Sequence, residues 1–137
     1  MLDKIDHYFN FQQKSLDLRA YRTEVLAGNM ANAETPYYKA VDFDFADAMK
    51  AQMDGHGSGK DLALVATNPR HFSTSPNDGA QSVDLLYRDA VQPSVDGNTV
   101  DMDVERGAFM DNALHYQTTL TFLNNRISML SSALKDQ

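Results

Sequence analysis

From Phe109 to Leu134 the chain places an apolar or small residue at alternating steps of four and three: Phe109, Ala113, Tyr116, Leu120, Leu123, Ile127, Leu130 and Leu134. That is the spacing of a coiled-coil seam, and it predicts a helix from about Asp101 to Lys135. Met102 extends the register backwards, with Arg106 as the one charged residue on it. Asp101, Asp103 and Glu105 gather where the helix should begin and Lys135 stands at its end, the distribution that the helix dipole favours. Gly107 weakens the first turns by about 1 kcal/mol relative to alanine, so the start could slip later.

The opposite end carries a broader and less pure apolar surface. Leu2, Ile5, Phe9, Leu16, Leu26 and Met30 fall on a similar register, which Gln12, Arg19 and Thr23 interrupt, while Phe11, Leu18 and Val25 form a neighbouring stripe. Such a face suits a helix that touches more than one partner. Residues 55–97 hold five of the seven glycines and three of the four prolines, around short apolar runs at Leu62–Val65 and Val83–Tyr87; loops with a few short strands are expected there. The expected fold is mainly α, with long N- and C-terminal helices packed as a coiled-coil-like pair. Residues 1–34 and 101–137 would form an inner helical domain and 35–100 an extended, loop-rich middle. A helix of some 30 residues with one apolar seam owes its stability to packing, and a pair has no deep core, so copies or relatives would have to cover the remainder.

Composition narrows the function classes. At 137 residues, with 42% hydrophobic and 23% charged positions, the chain fits one ordinary domain. No apolar run approaches the roughly 20 residues of a membrane span, and the charges at Asp3, Lys4, Asp6, Lys14, Asp17 and Arg19 break any secretory signal core, so export by that route is not expected. The absence of cysteine removes disulfides, thiolate metal sites and thiol nucleophiles. A net charge of −7, with nine acids against four bases in residues 41–99, argues against nucleic-acid binding.

Enzyme-like stretches fail on inspection. Gly55-His56-Gly57-Ser58-Gly59-Lys60-Asp61 has Asp54 and Asp61 where a phosphate-binding loop needs glycine and a hydroxyl residue, so it reads as a flexible loop. His7, His56, His71 and His115 lie on separate segments without metal-ligand spacing. Asp42, Asp44 and Asp47 read as a solvated acidic strip, since proximity in sequence does not hold two carboxyls across a cleft. No catalytic, metal-binding or cofactor-binding residue is nominated.

The helical pattern at the N-terminal end stops at Gly28–Lys39. Asn29 and Asn32 offer donors and acceptors for the free groups of a helix end, and Thr35-Pro36 opposes continuation. Asn29-Met30-Ala31-Asn32-Ala33-Glu34-Thr35-Pro36-Tyr37-Tyr38-Lys39 resembles the Asn-x-Ala-Asn-x-x-Thr-Pro-Gly-Tyr-Lys signature of bacterial flagellar rod, hook and hook-associated proteins. Met1–Asp6 with Phe11-Gln12-Gln13, then Val83–Arg88, then Asp96–Asp103 are similar in turn to the proximal rod proteins of the FlgB family. Tyr37 departs from that pattern, standing where the family usually has glycine, which puts the local turn in question.

The resemblance implies a structural, non-enzymatic subunit of the flagellar basal body, with terminal helices packed together and against neighbours in a helical tube. It implies as partners itself, other rod subunits, membrane-ring and adaptor proteins, and the type III export gate in transit, with export lacking a cleaved signal. The alternative from another class is a soluble coiled-coil adaptor or export chaperone. The assembly seam would comprise Phe109, Ala113, Tyr116, Leu120, Leu123, Ile127, Leu130 and Leu134 with Ile5, Phe9, Leu16 and Leu26. Asn29, Asn32, Thr35, Pro36 and Tyr38 would form the helix-end motif, the two asparagines fixing the angle at which the chain leaves and Tyr38 packing back. Phe45 and Met49 match the Phe-x-x-x-apolar spacing of a family export element, and equally a turn of amphipathic helix that buries both.

Overall fold

The structure, a computed structural model, describes residues 2–53, 83–92 and 94–135, without the side chains of residues 2–8. The Gly55–Asp61 loop, the Leu62–Val65 run and the Ile5 side chain therefore lie outside the described residues. The fold is mainly helical. Helix α1 spans Leu2–Ala31, strand β1 Val41–Asp42, helix α2 Phe45–Met53, strand β2 Leu86–Tyr87 and helix α3 Met102–Lys135.

Helix α3 starts where its acids cluster. Asp101 acts as its N-cap, its Oδ1 accepting from the amides of Asp103 at 3.0 Å and Val104 at 3.3 Å. Gly107 does not delay the start. Helix α2 is capped in the same way: Asp44 Oδ1 accepts from the amides of Ala46 and Asp47 at 2.8 and 3.1 Å. Among the described residues it is the one helix within the span expected to be loop-rich, and it places Phe45 and Met49 one turn apart. The strands pair antiparallel, Val41 opposite Tyr87 and Asp42 opposite Leu86.

α1 and α3 run antiparallel, with Asn29 beside Glu105 and with Arg19 and Thr23 beside Asn112. The apolar core lies on the adjoining face of α1. Leu18, Val25, Phe43, Ala48 and Met49 form it, with Tyr21, Val41, Phe45, Met53 and Val83 packed against them. The Tyr21 and Phe43 rings stack at 5.7 Å between centroids. The stripe beside the interrupted α1 register thus holds the middle region, leaving the interrupted register for α3. Among the described residues, no helix is long and apolar enough to cross a membrane.

Candidate functional site

The corner after α1 is built from side-chain amides. Asn32 Nδ2 donates to Gly28 O at 2.8 Å, a carbonyl of the last helical turn that also accepts from the Asn32 backbone amide at 3.2 Å. Thr35 Oγ1 donates to Asn32 Oδ1 at 3.2 Å, and Pro36 is exposed. Asn29, fully buried, reaches forward instead: its Nδ2 donates to Val41 O at 2.7 Å and to Glu105 Oε2 at 3.2 Å. Its Oδ1 accepts from the Val41 amide at 3.1 Å and from the Tyr38 hydroxyl at 3.3 Å. One side chain therefore joins α1, β1 and α3. From the far side, Asn98 Nδ2 lies within 3.0 Å of three more carbonyls, those of Asn32, Ala33 and Thr35.

Tyr37 keeps the conformation that glycine would permit. Its φ is 61°, its amide donates to Asp96 O at 3.0 Å, and its side chain is 79% exposed. The ring lies against Gly97, itself at φ 72°, where an added Cβ would meet Tyr37 Cδ1 at 3.1 Å. Left-handed geometry costs an L-residue roughly 1–2 kcal/mol, and glycine's extra unfolded-chain entropy offsets about half of that. Tyr37→Gly is therefore expected to stabilise the chain by about 0.5–1 kcal/mol, raising the urea midpoint without changing the m-value; a lowered midpoint would show that the ring contact matters more than the backbone strain.

A charged network locks the corner. Arg22 grips Asp42 with two bonds, Nε to Oδ1 at 3.0 Å and Nη2 to Oδ2 at 2.8 Å. Arg88 bridges Asp42 Oδ2 at 2.7 Å and Glu105 Oε1 at 2.6 Å. Asp42 thus departs from the solvated strip expected of it, while Asp44 and Asp47 remain exposed. Burial pushes the Asp42 carboxyl up, but hydrogen bonds from Arg22, the Phe43 amide and Arg88, with the Arg22 charge, outweigh it and hold the pKa below its ordinary value. A carboxyl held low stabilises the fold above its unfolded pKa and loses that contribution as pH falls through the folded one. Between neutral pH and about pH 3, the parent chain is expected to lose more melting temperature than Asp42→Asn, whose own loss is already present at neutral pH. Parallel pH profiles for the two proteins in thermal circular dichroism would contradict this.

The seam of α3 is turned to one side. Phe109, Tyr116, Leu120, Leu123 and Leu130 are half-buried, whereas Ala113, Ile127 and Leu134 are exposed. The two fully buried positions of α3 are polar: Glu105 and Asn112, seven residues apart and each 1% exposed. On α1, Phe9 and Leu16 are half-buried and Leu26 is fully buried. An open groove of about 660 Å³ runs between Ala20, Thr23 and Glu24 of α1 and Ala113, Tyr116 and Leu120 of α3. Large apolar side chains also stand exposed outside the seam: Phe122, 62% exposed, and likewise Met110, Leu114 and Met129. Phe45 is half-buried, its ring 4.3 Å from the Arg19 guanidinium, and Met49 is buried in the core.

Sequence reasoning missed Arg22, Arg88, Asn98, Glu105 and Asn112. Asn98 and Arg88 sit inside the Asp96–Asp103 and Val83–Arg88 blocks that carried the resemblance, and the seven-residue spacing of Glu105 and Asn112 was visible. Nothing in the sequence named their partners.

The arrangement defines a class: a terminal-helix protein whose two ends form one antiparallel pair, joined by an amide-rich corner, with much of the pair's apolar surface left outside. The flagellar basal body rod protein FlgB of Yersinia enterocolitica is 48% identical over 98% of this chain and 98% of its own length. Those of Salmonella typhimurium strain LT2 and Escherichia coli K12 are each 46% identical, with 98% of both chains covered. No family model matches the chain. With such relatives over nearly its whole length, the chain belongs to the FlgB family of flagellar basal-body rod proteins.

Proposed function

We propose that this chain is a structural subunit of the flagellar basal-body rod, polymerising through its terminal helices into the proximal part of the periplasmic drive shaft. Residues 1–34 and 101–137 act as the inner helical domain, and 35–100 as the middle region held off it by the corner. One observation carries the reading: α3 buries Glu105 and Asn112 and leaves Phe122, Met129 and Leu134 outside. A helix so arranged gains apolar burial only when other helices surround it, at roughly 25 cal/mol per Å² covered. Contacts that build a tube must be head-to-tail and must not close on themselves. The relatives' names support the rod over a soluble adaptor or export chaperone.

The role is mechanical rather than catalytic. Its partners are copies of itself, other rod subunits and the membrane-ring and adaptor proteins at the rod base, with passage through the type III export gate and no cleaved signal. Basal bodies purified from cells producing an epitope-tagged chain are expected to carry the tag in the rod; tagged protein exported in full yet absent from every rod would reject the reading. Phe45 and Met49 are proposed as the export element. Phe45→Ala is expected to cut secretion several-fold while cytoplasmic levels hold, measured by immunoblot of the two fractions. Normal secretion with defective rods would assign Phe45 to packing beneath Arg19 alone.

A further inference from the structure

We infer that Asn112 is a positioning residue that sets the rotation of α3 about its own axis, keeping the Ala113 edge of the apolar seam turned toward the groove rather than buried against α1. The amide is 1% exposed between α1 and α3. Its Nδ2 donates to Arg19 O at 2.9 Å and to Thr23 Oγ1 at 3.0 Å, and Arg19 Nη1 reaches its Oδ1 at 3.5 Å. Thr23 Oγ1 itself donates to Arg19 O at 3.0 Å, so the acceptors are fixed on one turn of α1. Both bonds are made at a single rotation of α3, because each residue step turns a helix by about 100°.

The apolar pattern alone favours a different rotation. The repeat from Phe109 to Leu134 would bury most surface by facing α1 directly, which would carry Ala113 inward and Ala108 outward. In that state Asn112, one turn from Ala108 on the same face, moves outward with it and gives up its bonds to Arg19 and Thr23, each of which contributes net stability. Buried polar residues at seam positions fix geometry in other helix pairs by this means. Glu105, on the same face, favours the same rotation, but it is tied to the middle region through Arg88; among the described residues Asn112 bonds to α1 alone. That the seam so kept open receives a neighbouring subunit rests on the rod reading; the rotation itself does not.

The chain has no cysteine, so single reporters are clean. Ala113→Cys and Ala108→Cys are each placed in the parent and in Asn112→Leu, and maleimide labelling rates are measured on the purified full chain. With Asn112 replaced, labelling at position 113 is expected to slow by roughly tenfold and that at position 108 to quicken by a similar factor, opposite changes that mark a rotation. Rates that stay unchanged, or that move in the same direction, overturn the inference whatever happens to the melting temperature, since a merely structural asparagine would loosen or tighten both sites together. Asn112→Ala, which removes the bonds without adding bulk, is read in the same way if Asn112→Leu loses its helical signal. Unfolding of both variants also overturns it, because a rotational pin can be removed without unfolding the pair. Labelling is read on the isolated chain, so absence of the protein from rods would leave the result standing.

Discussion

Cells whose only copy of this chain carries Leu120→Glu are expected to export the protein, build no rod and fail to swim. Leu120 is half-buried in the chain and lines the groove between α1 and α3, so in isolation a carboxylate there keeps access to water. Covering the groove with a neighbour's helix removes that access. Burying a leucine favours the contact by roughly 1.5–3 kcal/mol; a carboxylate reverses the sign and costs several kcal/mol unless paired. Glu24 lines the same groove and adds like charge. The penalty recurs in each subunit incorporated. Ala90→Glu, on the exposed surface after β2, is expected to swim normally, since such changes usually stay within about 0.5 kcal/mol. Soft-agar motility and electron microscopy of basal bodies read the result, and normal swimming by Leu120→Glu would show that the groove stays uncovered in the assembly.

Arg88→Met is expected to destabilise the isolated chain by about 3–5 kcal/mol, the range for breaking a buried ion pair by removing one partner. Arg88 touches both acids of the network, and Glu105, 1% exposed in the parent chain, would be left with the Asn29 amide as its remaining side-chain partner among the described residues. Asp42 keeps its two bonds from Arg22 and is hurt less. At this chain length the loss corresponds to a drop of roughly 10–15 °C in melting temperature. Adding Glu105→Gln to Arg88→Met is expected to recover part of it, since an amide buries without a net charge. A drop of only a degree or two for Arg88→Met would show that Glu105 finds another partner.

The long helices and the place where the first one stops were legible because periodicity and Thr35-Pro36 are local signals. The centre of the helix pair was not, for a physical reason that Arg19 and Thr23 illustrate. On the α1 register they read as interruptions of an apolar seam, yet they are the groups that Asn112 meets, 93 and 89 residues away in sequence. Periodicity records where apolar residues recur; it does not record which polar residues satisfy one another across such distances. Asp42 shows the same limit. Beside Asp44 and Asp47 it looks like part of a solvated strip, and only the fold brings Arg22 and Arg88 to it. Tyr37 was legible as a departure from glycine, but not the retention of a positive φ, because the bonds that enforce it come from residues 96–98.

Sharing one aspartate between two arginines also decides how the molecule comes apart. Asp42 ties Arg22 of α1 to Arg88 after β2, Arg88 in turn holds Glu105 of α3, and Asn29 of α1 closes the loop by bonding both Val41 and Glu105, so the departure of any one element breaks bonds to both of the others. Opening here is coupled. The backbone amides around Arg22, Asp42, Arg88 and Glu105 should therefore exchange their hydrogens with solvent as one cooperative unit, with a shared free energy of opening, while the far halves of α1 and α3 fray independently and exchange first.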